Sequence, residues 1–284
     1  MSKSILLLGK GYIGMHLYNA LSNSNKVNII SKDQVDYTDR LTLIRYLTST
    51  KKRVDYIINC SGFCGSPNVD QAEIEKHKCW ELNVTKPTVV NNVCRSLQIP
   101  YIHISSGCIY TGDEKLWSET DAPNFGMMNS NSSFYSKSKH AYEIANSEYG
   151  FTIRIRMPFD DDITSNRSVL NKLLKYNDII DFKNSKTYVP DLCKFIEQYI
   201  QQQHPTEPDV VNFVNPKALY TKEVVSLLKE AGMSNPEWKY VPMKDLHIMA
   251  ERSNCELDIT KLNEKYNYYP LSETEAIKKA LQIS

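Results

Sequence analysis

The chain has 284 residues, with 34 Lys and Arg against 33 Asp and Glu, a net charge of +1. That balance removes the basic footprint of a nucleic-acid or membrane-surface binder, and no apolar run approaches the ~20 residues that a membrane-spanning helix needs. Seven cysteines, odd in number and without CxxC spacing, argue against a disulfide framework or a zinc site and for a reducing, cytoplasmic setting.

Residues 4–20 read SILLLGKGYIGMHLYNA: the apolar run Ile5–Leu8 stops at Gly9, and a helical pattern follows. Strand, glycine turn and helix is the layout of a dinucleotide site. Gly9 permits the tight turn, Gly11 lets a pyrophosphate approach the backbone, and Gly14 lets the helix pack closely on the strand. Tyr12 and Ile13 complete the loop, and the free N–H groups of the helix start face the phosphates. The strand begins almost at the first residue, so no signal peptide is expected ahead of it.

Val27–Ile30 reads as a second strand, 39–47 as a helix, and Tyr56–Asn59 as a third strand. Residues 69–97 are helical material in one or two pieces, and Tyr101–Ser105 is a fourth strand. The polar stretch 111–133 is long for a plain connection and is expected to be a loop over the cleft. Residues 134–147 read as a helix and Phe151–Ile155 as a fifth strand. Beyond Met157-Pro158 the alternation is less regular, with helices over 168–176, 189–202, 221–231 and 273–281 and a strand at Val210–Val214. The expected fold is α/β: a Rossmann doubly wound parallel sheet in residues 1–157 and a smaller, discontinuous C-terminal substrate-binding subdomain in 158–284. The chain is expected to return to the sheet near 179–216.

Two places carry chemistry on residue type alone. Strand two ends in Ser31-Lys32, a hydroxyl and a cation where an NAD-specific site would carry an acid, which suits a 2′-phosphate and hence NADPH. Asp33 next door keeps NADH as the alternative. In YSKSK, Tyr135 and Lys139 stand four apart and share one helix face. The ammonium is expected to lower the phenol into a usable acid/base range, and a hydroxyl of Ser105-Ser106, where strand four ends, could hold a carbonyl beside it. Arg252 offers a planar fork to a diphosphate. His103, on an apolar strand, reads as a core histidine.

With these residues in hand, the chain resembles the extended short-chain dehydrogenase/reductase family, and within it the dTDP-4-dehydrorhamnose reductase branch. It is most similar to the bifunctional UDP-4-keto-6-deoxyglucose 3,5-epimerase/4-reductases of UDP-L-rhamnose synthesis in plants and viruses. The shared stretches are SGFCGSPNVD (61–70), GCIY (107–110), FYSKSK (134–139), RIRMP (154–158), NFVNP (212–216) and RSNCELD (252–258). GCIY with RSNxELD is far more specific than GxGxxG or YxxxK. The resemblance implies a catalytic set of Ser106, Tyr135 and Lys139, with Cys108 and Lys172 added for epimerisation. It implies that Asn59, Cys60, Ser61 and Gly62 pass the cofactor and that Asn83, Arg252 and Asn254 meet a UDP-sugar. A homodimer is compatible with it. Two departures stand out: the first glycine motif is one residue shorter than the subfamily's GxxGxxG, and the residues after Pro158 differ. A reductase without epimerase activity, or a non-catalytic NADP-binding regulatory subunit, remains as the alternative reading.

Overall fold

The computed structural model describes residues 2–49, 53–66, 68–202, 207–246 and 248–284. In chain order the strands are β1 (Ser4–Leu8), β2 (Lys26–Ile30), β3 (Tyr56–Asn59), β4 (Tyr101–Ser106), β5 (Gly112–Trp117), β6 (Phe151–Ile155), β7 (Pro158–Phe159), β8 (Asp178–Ile179), β9 (Thr187–Tyr188), β10 (Asp209–Asn212), β11 (Lys239–Tyr240) and β12 (Cys255–Leu257). The helices are α1 (Tyr12–Leu21), α2 (Arg40–Ser49), α3 (Gln71–Ile74), α4 (Lys76–Trp80), α5 (Lys86–Leu97), α6 (Phe134–Ala145), α7 (Val169–Lys175), α8 (Val189–Gln201), α9 (Thr221–Glu230), α10 (Thr260–Tyr266) and α11 (Glu273–Leu281).

Six strands form one parallel sheet in the order β10-β6-β4-β3-β1-β2. A parallel sheet is covered on both faces, so its strands are continuous apolar runs rather than alternating ones. The pleat then sorts each run. Ile5, Leu7, Tyr56, Ile58, Ile102 and Ile104 join one core, with Leu192, Ile196 and Tyr199 of α8. Leu6, Leu8, Ile57 and Tyr101 join the other, with Leu43 and Leu47 of α2 and Val90, Val93 and Cys94 of α5. A third core gathers Phe159, Leu170, Tyr188, Val224, Leu228, Ala276 and Ile277, so α7, α9 and α11 pack around the short β7–β9 pair.

Three expectations are corrected here. The stretch 111–133 is not all loop: Gly112–Trp117 is a strand, paired in parallel with Cys255–Leu257. The helical material of 69–97 is three helices, α4 and α5 being joined by a π turn over Glu81–Thr85. The 168–176 helix is only Val169–Lys175. The short strands and α10 carry too few residues to show a period; long-range partners define them. Among the described residues no helix is long and apolar enough to cross a membrane, and no group of His, Cys, Asp and Glu is arranged to hold a metal ion.

The glycine turn is fixed by contact. Gly9 has φ +100°, and a Cβ at Gly14 would sit 2.0 Å from the carbonyl oxygen of Gly9. Backbone cannot yield there as a flexible side chain would. Gly14→Ala is therefore expected to lower stability by about 1–3 kcal/mol, read as a lower urea midpoint. An unchanged midpoint would mean that α1 slides along β1 at no cost.

Candidate active site

The glycine loop and the end of β2 form one half of the site. Gly11 caps α1 with no side-chain hydrogen bond, and the first turn holds no acidic residue. The amide N–H groups at the start of α1 are left for an anion. A Cβ at Gly11 would meet nothing within 4 Å, so the loop is open on that side. These features fit a dinucleotide pyrophosphate. At the end of β2, the exposed Lys32 lies beside Lys86 at the start of α5, and the proximity of this second amine lowers Lys32 below its ordinary value. Glu81 pairs with Lys86 at 2.7 Å. Lys86 was not among the sequence candidates; only the fold brings it to Lys32. Ser31 is turned to Gln34, whose Oε1 accepts from its N–H at 3.1 Å. Tyr12 directs its ring at His16 and its phenol at Asp160, and burial with that carboxylate pushes the phenol up.

The other half is built where β4 ends. Ser106 Oγ accepts from the Cys108 N–H at 3.2 Å, and the Ser106 hydroxyl lies beside the phenol of Tyr135. Tyr135 and Lys139 stand on α6, which is held by two devices. Ser133 caps its N-terminus, accepting from the Ser136 N–H at 3.1 Å. Glu143, further along, takes the Arg154 guanidinium at 2.6 Å and the Ser105 hydroxyl at 2.7 Å. Lys139 is buried, with its Nζ 5.8 Å from the Tyr135 ring centre and 3.4 Å from where a Gly62 Cβ would be. The sequence reading expects Lys139 to lower Tyr135. The structure shows the reverse: burial raises the phenol well above its ordinary value, with the neighbouring Cys108 and Cys64 thiols acting the same way and the Ser106 hydroxyl opposing. Burial likewise lowers Lys139. The phenol therefore keeps its proton and is suited to giving it up to an oxyanion.

Cys108 is partly exposed beside Tyr135 and Lys139. Lys172 stands on α7 and is partly buried. Burial lowers it, the Cys64 thiol opposes, and Arg167 adds to the lowering. Cys64, in SGFCGSPNVD, influences Tyr135, Lys139 and Lys172, and Arg167 Nη1 donates to its Sγ at 3.1 Å. Sequence reasoning missed Cys64 and Arg167; neither carries a local signal.

Other candidates lie beneath the cleft rather than in it. Asn83 is 1% exposed. Its Oδ1 accepts from the Phe63 N–H at 2.7 Å, and its Nδ2 donates to the Phe63 carbonyl at 2.8 Å and to Ser138 Oγ at 3.0 Å. The π turn aims it inward, so it ties the Gly62-Phe63 loop to α6 instead of meeting a sugar. The Asn59 side chain is fully buried and spent on Tyr101, His103 and Ser61. Burial pushes the Cys60 thiol up, and Ser61 backs onto Gly9. What this segment offers a cofactor is backbone, at Gly62 above all. Arg252 is engaged with Asp70 at 2.8 Å, and Asn254 accepts from Asn184 Nδ2 at 2.9 Å, so both brace the scaffold. His103 is buried against Tyr142, and burial holds it neutral.

The chain matches the family model described as the RmlD substrate binding domain over residues 3–284. It is 29% identical over 239 residues to the bifunctional dTDP-4-dehydrorhamnose 3,5-epimerase/dTDP-4-dehydrorhamnose reductase of Arabidopsis thaliana, covering 80% of this chain and 76% of that one. It is 29% identical over 279 residues to the trifunctional UDP-glucose 4,6-dehydratase/UDP-4-keto-6-deoxy-D-glucose 3,5-epimerase/UDP-4-keto-L-rhamnose-reductase RHM1 of the same plant. That match covers 93% of this chain but spans only 40% of the length of RHM1. The fold is similar to that of the L780 UDP-rhamnose synthase of Acanthamoeba polyphaga mimivirus, with a TM-score of 0.86 at 23% identity and 99% of both chains covered. It is similar also to dTDP-4-dehydrorhamnose reductase of Bacillus anthracis, solved with NADP, with a TM-score of 0.81 at 18% identity and 99% of both chains covered.

Proposed function

The chain belongs to the RmlD substrate-binding-domain family, and from that premise we propose that it is an NADPH-dependent reductase of a nucleotide-linked 4-keto sugar that also inverts carbons 3 and 5. The substrate is UDP-4-keto-6-deoxy-D-glucose and the product UDP-L-rhamnose. The observation that carries this reading is the meeting of Ser106, Cys108, Tyr135 and Lys139 at the end of β4, with Cys64 near both Tyr135 and Lys172. The relatives named above, with their paired epimerase and reductase activities, support it.

Gly9, Gly11, Tyr12, Ile13 and Gly14 hold the cofactor's pyrophosphate, Ser31 and Lys32 its adenosine end, and the Asn59–Gly62 backbone passes beside it. Bound NADPH supplies the hydride taken up by carbon 4. Tyr135 gives its phenol proton to the resulting oxyanion, Ser106 orients the carbonyl by hydrogen bond, and Lys139 holds the ribose and steadies Tyr135. Before that step the 4-keto group acidifies the hydrogens at carbons 3 and 5. Cys108 and Lys172 remove and return those protons. A thiol and an amine suit this because both can take up and give back a proton, and burial lowers Lys172.

The test is product analysis by NMR after incubation with UDP-4-keto-6-deoxyglucose and NADPH. Without NADPH, in deuterated water, label is expected at carbons 3 and 5. Cys108→Ala is expected to slow that exchange about a hundredfold while NADPH binding persists. An unlabelled ketone recovered from the unmutated protein, with reduction of a pre-epimerised sugar intact, would leave a reductase only. Turnover of the dTDP-sugar in preference to the UDP-sugar would reassign the nucleobase.

A further inference from the structure

Arg156, in the RIRMP stretch just after β6, is a buried charge with no opposite charge beside it. It is 1% exposed and heads the largest fully buried side chains among the described residues. Nη1 donates to the Gly107 carbonyl at 3.2 Å and to Ser253 Oγ at 2.7 Å; Nη2 donates to Asn184 Oδ1 at 2.7 Å and to the Ser253 carbonyl at 3.1 Å. Nε has no partner. Every acceptor is neutral. Arg154 and Lys186 are buried to a similar depth, yet each has its own carboxylate, Glu143 and Glu273, both at 2.6 Å. An isolated buried cation is costly, and a fold keeps one where an anion forms beside it.

The place of that anion can be read from the packing. The stem of Arg156 lies under the turn that carries Cys108: a Cβ at Gly107 would be 3.2 Å from Cγ and 3.3 Å from Cδ of Arg156. Three ionisable groups lie within electrostatic range of the guanidinium: Cys255 on β12, Cys108 on the turn above its stem and Tyr135 on α6. Lys139 of α6 also faces Cys108. The neighbouring acids are engaged elsewhere, Glu256 with Lys183 at 2.6 Å and Glu143 with Arg154. Burial holds Tyr135 and Cys255 protonated, and the Cys255 thiol is directed at the Gly107 carbonyl. Cys108 alone of the three is a thiol open to the cleft. Backbone strain accompanies the arrangement: Met157, the next residue and the one before Pro158, has φ +37°.

We propose that Arg156 is a positioning residue, the buried counter-charge for a thiolate at Cys108, which makes Cys108 the base and Lys172 the acid of the epimerisation. This rests on the reading of Cys108 as a proton-transfer group. The thiolate takes the proton from the carbon beside the ketone; the C–H bond breaks, S–H forms, and the electron pair moves to the ketone oxygen. The Lys172 ammonium then gives a proton to the opposite face of that carbon, and the thiol and the amine exchange with water to return to their starting forms.

The test is the pH dependence of Cys108 alkylation by iodoacetamide, followed by mass spectrometry on the tryptic fragment 96–115, in which Cys108 is the one cysteine. Arg156→Gln is expected to move the midpoint upward by about one pH unit or more. Asn184→Asp, nearly isosteric, gives Arg156 a carboxylate partner in place and is expected to shift the midpoint the same way, even where Arg156→Gln fails to fold. Arg156→Lys keeps the charge and is expected to keep the midpoint. An unmoved midpoint in Asn184→Asp, or one in Arg156→Lys equal to that of Arg156→Gln, overturns the proposal. Solvent deuterium exchange into the keto sugar by the unmutated protein separates the two claims: its absence removes the epimerase reading, while the alkylation profile still decides the role of Arg156.

Discussion

Tyr135→Phe is expected to lose about a thousandfold in NADPH-dependent reduction of the 4-keto sugar, with little change in thermal midpoint or NADPH affinity. The substitution removes one oxygen from a ring seated on α6. That oxygen stands near the Ser106 hydroxyl and the Cys108 and Cys64 thiols. The helix itself is fixed by the Ser133 cap and the Glu143–Arg154 pair, neither of which touches the phenol. Loss of rate without loss of fold is what a proton donor predicts. The sign of the pH dependence follows from the raised phenol. A group raised above its ordinary value stays protonated further into the alkaline range, so reduction is expected to hold through neutral pH and fall only at high pH. A fall beginning between pH 6 and 7 would implicate another donor. So would a Tyr135→Phe variant that reduces the ketone within tenfold of the unmutated rate.

The parts of the fold that were legible in the sequence are those with local causes. Ile5–Leu8, then Gly9, Gly11 and Gly14, specify strand, turn and helix locally: Gly9 takes φ +100°, and a Cβ at Gly14 would stand 2.0 Å from the Gly9 carbonyl oxygen. The central strands β1, β3 and β4 are buried on both faces, and such apolar runs announce themselves. What stayed hidden depends on the chain meeting itself. Gly112–Trp117 reads as polar loop, GDEKLW, and becomes a strand only because Cys255–Leu257 lies alongside. Asn83 looks available in sequence, yet one π turn swings it under the cleft. Tyr135 and Lys139 are correctly spaced to share a face, but spacing says nothing of burial, and burial set the direction of both shifts. Arg154 is the last residue but one of an apolar strand, and Arg156 is the first residue past its end. Nothing local tells which of the two has a carboxylate.

Lys186→Met is expected to destabilise the protein by about 3–5 kcal/mol at neutral pH, the usual result of stranding one member of a buried ion pair. Lys186 is 2% exposed by its side chain and Glu273 is 0%, with Nζ 2.6 Å from Oε1. The same ammonium donates to the Asn184 carbonyl at 2.9 Å, and the same carboxylate accepts from the Leu219 N–H at 3.2 Å. One ion pair thus joins the residues before β9, the loop before α9 and the start of α11. Burial raises Glu273 even with Lys186 present. Without the ammonium it rises further, above its unfolded-state value, so the protonated folded form is favoured at low pH and that advantage is lost as pH rises through the folded value. The deficit of Lys186→Met is therefore expected to shrink in urea melts as pH is lowered from 7 toward 5. The double variant Lys186→Met/Glu273→Leu removes both charges and is expected to recover most of the loss. A single variant within 1 kcal/mol of the unmutated protein, or a deficit that grows on acidification, would mean that water or another donor reaches Glu273. The pair also bears on the site: Lys186 fixes the backbone of Asn184, whose side chain holds Arg156 beneath the Cys108 turn. Loss of the ion pair is thus expected to disturb Cys108 alkylation through the same strand that it destabilises, and the double variant to restore both together.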